Sequence, residues 1–191
     1  MRNGFWIGTA AGLALLVSGT AMAEDAYAGL SIMTPGEAKI GYGATGTVDN
    51  YNNPKAFKLY GGLNLGNDYA LEAGYGDFGS WKFNNPAGAS LPGASIKSDV
   101  FYLAGKKTLP LNADFSVYGK LGVARNHLKA VGFDGQASTD SSIRPMVGVG
   151  ADYRITNNLS AVLEFEYYGK TKGNAGSYTQ QKLGTGLKLS F

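Results

Sequence analysis

Lys182-Leu183-Gly184-Thr185-Gly186-Leu187-Lys188-Leu189-Ser190-Phe191 changes character at every step. Successive residues of a strand point to opposite faces, so Leu183, Thr185, Leu187, Leu189 and Phe191 share one side. Lys182, Gly184, Gly186, Lys188 and Ser190 share the other. The first side is oily; the second is polar and short of bulk. Such a strand fits a wall with lipid outside and a narrow polar space inside. Alone it could equally be the last edge of a soluble sandwich, so the rest of the chain has to decide.

Seven more segments of this kind precede it, and together the strands are expected at residues 25–34, 56–65, 69–78, 98–108, 115–126, 142–155, 159–169 and 181–191. Most are about ten residues long, the length a tilted strand needs to cross a bilayer. Short turns are expected at 66–68, 110–114 and 156–158, and long Gly/Asn/Pro-rich loops at 35–55, 79–97, 127–141 and 170–180. A soluble meander has no reason to alternate short and long connections. An eight-stranded up-and-down antiparallel transmembrane β-barrel does, with short turns facing the periplasm and long loops facing outside. Closure also removes the unpaired edges that lipid could not satisfy.

The period of two recurs strand by strand. Phe57, Leu59, Leu63 and Leu65 oppose Lys58, Tyr60, Gly62 and Asn64, and Tyr69, Leu71, Ala73 and Tyr75 oppose Ala70, Glu72, Gly74 and Gly76. Val117, Leu121 and Val123 oppose Tyr118, Lys120 and Gly122; Ile143, Val147 and Val149 oppose Arg144, Met146, Gly148 and Asp152; Leu163 and Phe165 oppose Glu164 and Glu166. The fourth strand is ambiguous, since Val100-Phe101-Tyr102-Leu103 is apolar on both sides, and the first is weak. Aromatic rings gather near both expected rims, Phe57, Tyr75, Phe78, Tyr167 and Tyr168 at the outer one and Tyr69, Phe115, Tyr153 and Phe191 at the periplasmic one, as rings at headgroup level would.

The amino-terminal segment reads as an export leader. Arg2 supplies positive charge, residues 5–17 an apolar stretch, and Ala21-Met22-Ala23 the small residues that a signal peptidase checks. Cleavage after Ala23 would start the mature barrel domain, 24–191, at Glu24. An uncleaved membrane helix is the competing reading, weakened by Gly8, Thr9, Gly12, Ser18, Gly19 and Thr20. The chain of 191 residues has no Cys, which excludes disulfides and thiolate metal sites, and a net charge of +3 with no basic block argues against nucleic acid. Mean hydropathy is −0.12; alternating strands average out in this way.

The stretch Phe57-Lys58-Leu59-Tyr60-Gly61-Gly62-Leu63-Asn64-Leu65-Gly66-Asn67-Asp68-Tyr69-Ala70-Leu71-Glu72-Ala73-Gly74-Tyr75-Gly76-Asp77-Phe78-Gly79 resembles the second and third strands of OmpA-like transmembrane barrels. Ala104-Gly105-Lys106, Val117 to Val123 and the tail ending in Phe191 continue the resemblance over nearly all of the mature chain. The tail resembles the carboxyl-terminal signal of bacterial outer-membrane barrels, which implies that Leu187, Leu189 and Phe191 are read by the barrel assembly machinery and periplasmic chaperones. The chain is expected to stop at the barrel, so the wall-tethering role of full-length OmpA proteins is not expected to carry over.

Eight strands leave an interior just wide enough for side chains. Inward positions include Lys58, Lys120, Arg144, Arg154, Lys182 and Lys188 against Glu72, Asp152, Glu164 and Glu166. Buried charges cost several kcal/mol each unless paired, so an internal ion-pair network is expected. Simple hairpin register puts Glu72 opposite Gly62 and Glu164 opposite Gly150, leaving room for a long acidic side chain. The network either only fills and stiffens the barrel or gates a narrow pore by switching partners. A catalytic site is not expected: His127 stands in a loop with no Ser two residues on, although Ser138, Asp140 and Ser141 lie further along that loop. Neither metal nor cofactor is expected. Trp81, Phe83, Phe133, Tyr51 and Tyr178 in the long loops are candidates for contact with an extracellular ligand. The expected protein is a monomer in contact with outer-membrane lipid and lipopolysaccharide. Its expected role is structural or surface-interacting, with a narrow channel as the alternative and a lipid-modifying enzyme third.

Overall fold

Strands that alternate apolar and polar residues need lipid on one side and polar partners on the other, and closing the sheet on itself provides both. A computed structural model describes residues 25–34, 39–42, 46–49, 55–84, 93–132, 134–173 and 176–191. The expected leader and its cleavage site at Ala21, Ala23 and Glu24 lie outside the described residues. The strands are β1 (Ala26–Met33), β2 (Lys39–Tyr42), β3 (Gly46–Asp49), β4 (Ala56–Gly66), β5 (Tyr69–Phe83), β6 (Ala94–Pro110), β7 (Phe115–Val131), β8 (Ala137–Arg154), β9 (Leu159–Gly173) and β10 (Gly176–Ser190). Eight of them close a barrel in the order β1-β10-β9-β8-β7-β6-β5-β4, and β2 and β3 form a separate hairpin.

β10 closes on β1 through antiparallel pairs from Tyr27↔Ser190 to Met33↔Gly184, and the Phe191 N–H donates to the Ala26 carbonyl at 2.9 Å. Outward residues meet the surroundings, with Leu30, Leu121, Ile143 and Leu163 all more than half exposed. The two strands that were hard to read take clear sides. Tyr27 and Ser31 on β1 and Val100, Tyr102 and Ala104 on β6 are buried, while Leu30, Ile32, Phe101 and Leu103 are exposed.

The short turns use side-chain chemistry suited to their geometry. Asn67 and Asp68 both have positive φ, 52° and 62°, as the two central residues of a type I′ hairpin turn require. The Asn112 carboxamide oxygen accepts from the Asp114 and Phe115 N–H groups at 3.0 and 2.8 Å, and Thr156 Oγ1 accepts from Asn158 and Leu159 at 3.3 and 3.1 Å. These local bonds compete with strand continuation and end it there.

The outer ends differ from the sequence reading. β5 runs on to Phe83, β6 starts at Ala94, β7 reaches Val131, β8 begins at Ala137, β9 reaches Gly173 and β10 begins at Gly176, so much of three expected loops is sheet. Above the bilayer the outward face no longer has to be apolar, so the alternation fades although the hydrogen-bond ladder continues. β2 and β3 likewise fall inside the expected loop at 35–55. Trp81 and Phe83, expected as loop contacts, are buried in the lumen at 0% and 1% exposure. Phe78 and Tyr168 do not join the rim belt; both are buried and pack on each other with centroids 5.5 Å apart. The register shift between Asp77 and Ser80 turns Trp81 and Phe83 inward. The side chains of Tyr51, Phe133 and Tyr178 lie outside the described residues.

Candidate functional site: the charged lumen

Glu72 on β5 stands opposite Gly62 on β4, and Glu164 on β9 opposite Gly150 on β8. The space above each glycine does not go to the glutamate. A Cβ on Gly62 would come within 2.3 Å of the Tyr27 ring, and one on Gly150 within 2.4 Å of the Tyr118 ring. Each glycine lets a tyrosine from the strand on its other side lie flat across the wall. The phenol then reaches the carboxylate one strand further on: Tyr27 Oη donates to Glu72 Oε2 at 2.9 Å and Tyr118 Oη to Glu164 Oε2 at 3.3 Å. The same Tyr–Gly–Glu row thus occurs twice, on β1-β4-β5 and on β7-β8-β9.

Lysines complete the satisfaction of these acids. Lys120 Nζ lies 2.7 Å from Glu72, 3.0 Å from Glu164 and 3.1 Å from Glu166. Lys58 Nζ lies 2.5 Å from Glu164 and 2.8 Å from Glu166. Further donors come from Tyr102 to Glu72 at 2.6 Å, Ser31 to Glu164 at 2.9 Å and Tyr168 to Glu166 at 2.6 Å. These five ionic side chains are essentially inaccessible to solvent. Three carboxylates against two ammonium groups leave this cluster one negative charge in excess. A second cluster toward the periplasm reverses the balance, with Asp152 taking Lys188 at 2.5 Å and Lys106 at 3.6 Å. Here a cavity of about 330 Å³ opens between Tyr27, Lys106, Asp152 and Lys188.

The other inward cations lie away from these two clusters. Lys182 sits against the rings of Phe78 and Trp81, 4.6 and 5.2 Å from their centroids, on the outer side. Arg144 forms no ion pair among the described residues, and its Nε is buried without a partner. Gly169 makes room for it, since a Cβ added there would lie 2.5 Å from Arg144 Cβ. Arg154 is exposed at the periplasmic turn. Sequence reading missed Lys106, because the facing of β6 was undecided, and although it turned Tyr60 and Tyr118 inward it missed the part that tyrosines play as donors to the glutamates. Glycines recurring opposite tyrosines on neighbouring strands were the available signal.

Removing one phenol should be measurable. A hydrogen bond to a charged acceptor contributes about 1.5–3 kcal/mol, and Glu72 keeps its other donors, so Tyr27→Phe is expected to cost about 1.5 kcal/mol. Urea unfolding in lipid vesicles would report it, and an unchanged midpoint would mean that Glu72 draws nothing from Tyr27.

His127 is on β7 rather than in a loop, with Ser141 on β8 and Asp99 on β6 as its cross-strand neighbours. Its Nδ1 lies 2.8 Å from Ser141 Oγ. Among the described residues no hydrogen bond joins Asp99 to the ring, so the orienting carboxylate of a hydrolytic triad is not in place. No group of three or more His, Cys, Asp or Glu able to hold a metal occurs among the described residues either.

A closed antiparallel barrel with an apolar outer wall, a charged and filled lumen and short turns at one end is an outer-membrane barrel of Gram-negative bacteria. The model of the OmpA-like transmembrane domain matches residues 2–186, and the chain belongs to that family. It is 29% identical to outer membrane protein A of Serratia marcescens over 124 residues, 62% of this chain and 33% of that protein. It is also 29% identical to outer membrane protein A of Yersinia pseudotuberculosis over 136 residues, 66% of this chain and 37% of that one. The matched part spans about a third of the length of these relatives. Among solved structures, Neisserial surface protein A superposes with a TM-score of 0.60 at 16% identity, over 87% of this chain and 97% of its own. OprG from Pseudomonas aeruginosa superposes at 0.58 and 14% identity, over 88% and 96%. Identities this low show the fold alone.

Proposed function

We propose that the protein is a structural and surface-contact component of the outer membrane, with its lumen held shut and its outer ends presented for adhesion-like contacts. The observation that carries this reading is the burial of Lys58, Glu72, Glu164 and Glu166 at no more than 1% exposure, each satisfied by neighbours. Such a core resists deformation and leaves water no room at mid-membrane. On the same reading the protein is not an enzyme, residues 1–23 are a cleaved leader ahead of a barrel domain at 24–191, and Leu187, Leu189 and Phe191 present the tail to the assembly machinery and periplasmic chaperones. Outer-membrane lipid and lipopolysaccharide surround a monomer.

One observation favours a second reading, a narrow gated channel. Lys120 has three carboxylates within 3.1 Å and could exchange them, so breaking one pair need not leave a charge unpaired. Planar-bilayer recording of the refolded protein separates the two. A silent membrane is expected, and Glu164→Gln should leave it silent. Discrete openings whose frequency changes in Glu164→Gln would replace the structural reading with the channel.

A further inference from the structure

At its outer end the lipid-facing wall of β6 and β7 carries a set of cations that the lumen does not use. Lys97 and Lys129 are direct cross-strand partners, and both point outward, because Ser98, Val100 and Asn126 between and beside them are buried. Two positions nearer the membrane Asp99 faces His127, and two positions further Phe101 faces Arg125. Arg125 and Lys129 form no ion pair among the described residues, and Lys97 reaches Asp77 Oδ2 at 3.4 Å while remaining 47% exposed. Two like charges placed directly opposite on an antiparallel pair destabilise it. An arginine on the lipid face is tolerated only near the interface. That interface is marked by the rings of Tyr75 and Phe101, whose centroids are 4.8 Å apart. The three cations therefore stand at headgroup level, where an anion would relieve their repulsion.

We propose that the outward face of β6 and β7 binds the phosphate of a phosphorylated sugar lipid of the outer leaflet through Lys97, Arg125 and Lys129. Arg125 offers a planar fork suited to phosphate oxygens, and the two lysines close the site from above as point charges. The nearby carboxylates of Asp77 and Asp99 repel a bare anion but accept hydrogen bonds from sugar hydroxyls, so the site selects a phosphate carried on a sugar. Below it Leu103, Leu121 and Val123 form an apolar wall beside Gly105 and Gly119, where an added Cβ would find nothing nearer than 3.9 Å. The resulting shallow gap gives an acyl chain a place to lie. This site requires only the outer-membrane location and holds whether the lumen is closed or conducting.

Native mass spectrometry of the refolded protein, titrated with purified lipid A and with lipid A stripped of its phosphates, tests the site. Wild type is expected to bind the phosphorylated lipid about tenfold more tightly, since each basic residue at a membrane surface adds appreciably to anionic-lipid affinity. The combined variant Lys97→Gln, Arg125→Gln, Lys129→Gln should lose that preference while keeping the heat-modifiable electrophoretic shift of a folded barrel. Lys107→Gln, an outward cation at the periplasmic end, should keep the preference. Equal binding of both lipids by wild type, or a preference that survives the triple substitution, overturns the proposal.

Discussion

Replacing Lys120 with Met is expected to lower the unfolding free energy by about 3–5 kcal/mol, the cost of removing one partner from a buried ion-pair network. Among the described residues Lys120 is the single cation that touches all three central glutamates, and its side chain is 1% exposed. Without it, Lys58 still serves Glu164 and Glu166, but among the described residues Glu72 keeps only the phenols of Tyr27 and Tyr102. A carboxylate in that position is short of a counter-charge rather than of donors. Adding Glu72→Gln to the lysine variant should therefore recover part of the loss, because the two residues are coupled. Urea unfolding in vesicles, followed by tryptophan fluorescence, measures both variants. Two losses that simply add would show that Lys120 and Glu72 act independently.

The second large effect lies at the closing seam. A Cβ on Gly186 would fall 2.1 Å from the Leu30 carbonyl oxygen and 2.6 Å from Ser31 Cα. These are backbone atoms of β1, tied into the ladder that joins the two strands, and they cannot swing aside as a side chain can. Overpacking costs about 1–3 kcal/mol in ordinary cores, and Gly186→Val is expected at the top of that range. Gly119→Val provides the contrast, since a Cβ there meets nothing within 4 Å. The fraction of protein showing the folded electrophoretic mobility after refolding should drop sharply for the first and hold for the second. Equal refolding of the two would falsify the crowding argument.

Much of the architecture could be read from the chain because lipid imposes a simple rule on alternate residues. Leu121, Val123, Ile143 and Leu163 all obey it, and they oriented their strands. The register that sets Gly62 opposite Glu72 followed from a short turn alone. β6 escaped because Val100 and Tyr102 fill the lumen with apolar surface, which erases the contrast between faces. The upper parts of β7 and β8 escaped because His127, Lys129, Thr139 and Ser141 no longer face hydrocarbon. Glycine was read as room for a glutamate when it is room for a ring from the opposite neighbour. That relation spans three strands and is invisible to any reasoning confined to one hairpin.

The unequal strand lengths carry a mechanical consequence. Each residue of a tilted strand lifts the wall by about 2.5 Å, so the 18 residues of β8 rise roughly 45 Å and the 8 of β1 roughly 20 Å. The hydrocarbon band is only about 25 Å tall. Among the described residues, β6, β7 and β8 are the longest barrel strands, at 17, 17 and 18 residues, and the wall is tallest on them. Its tip at residues 132–136 is clamped by bonds from Gly132 to Gln136 at 2.9 Å and from Gly135 to Gly132 at 3.0 Å. Any grip on it is a lever anchored in the wall below, so pulling there loads β7 and β8 well before the low side of the barrel feels the strain.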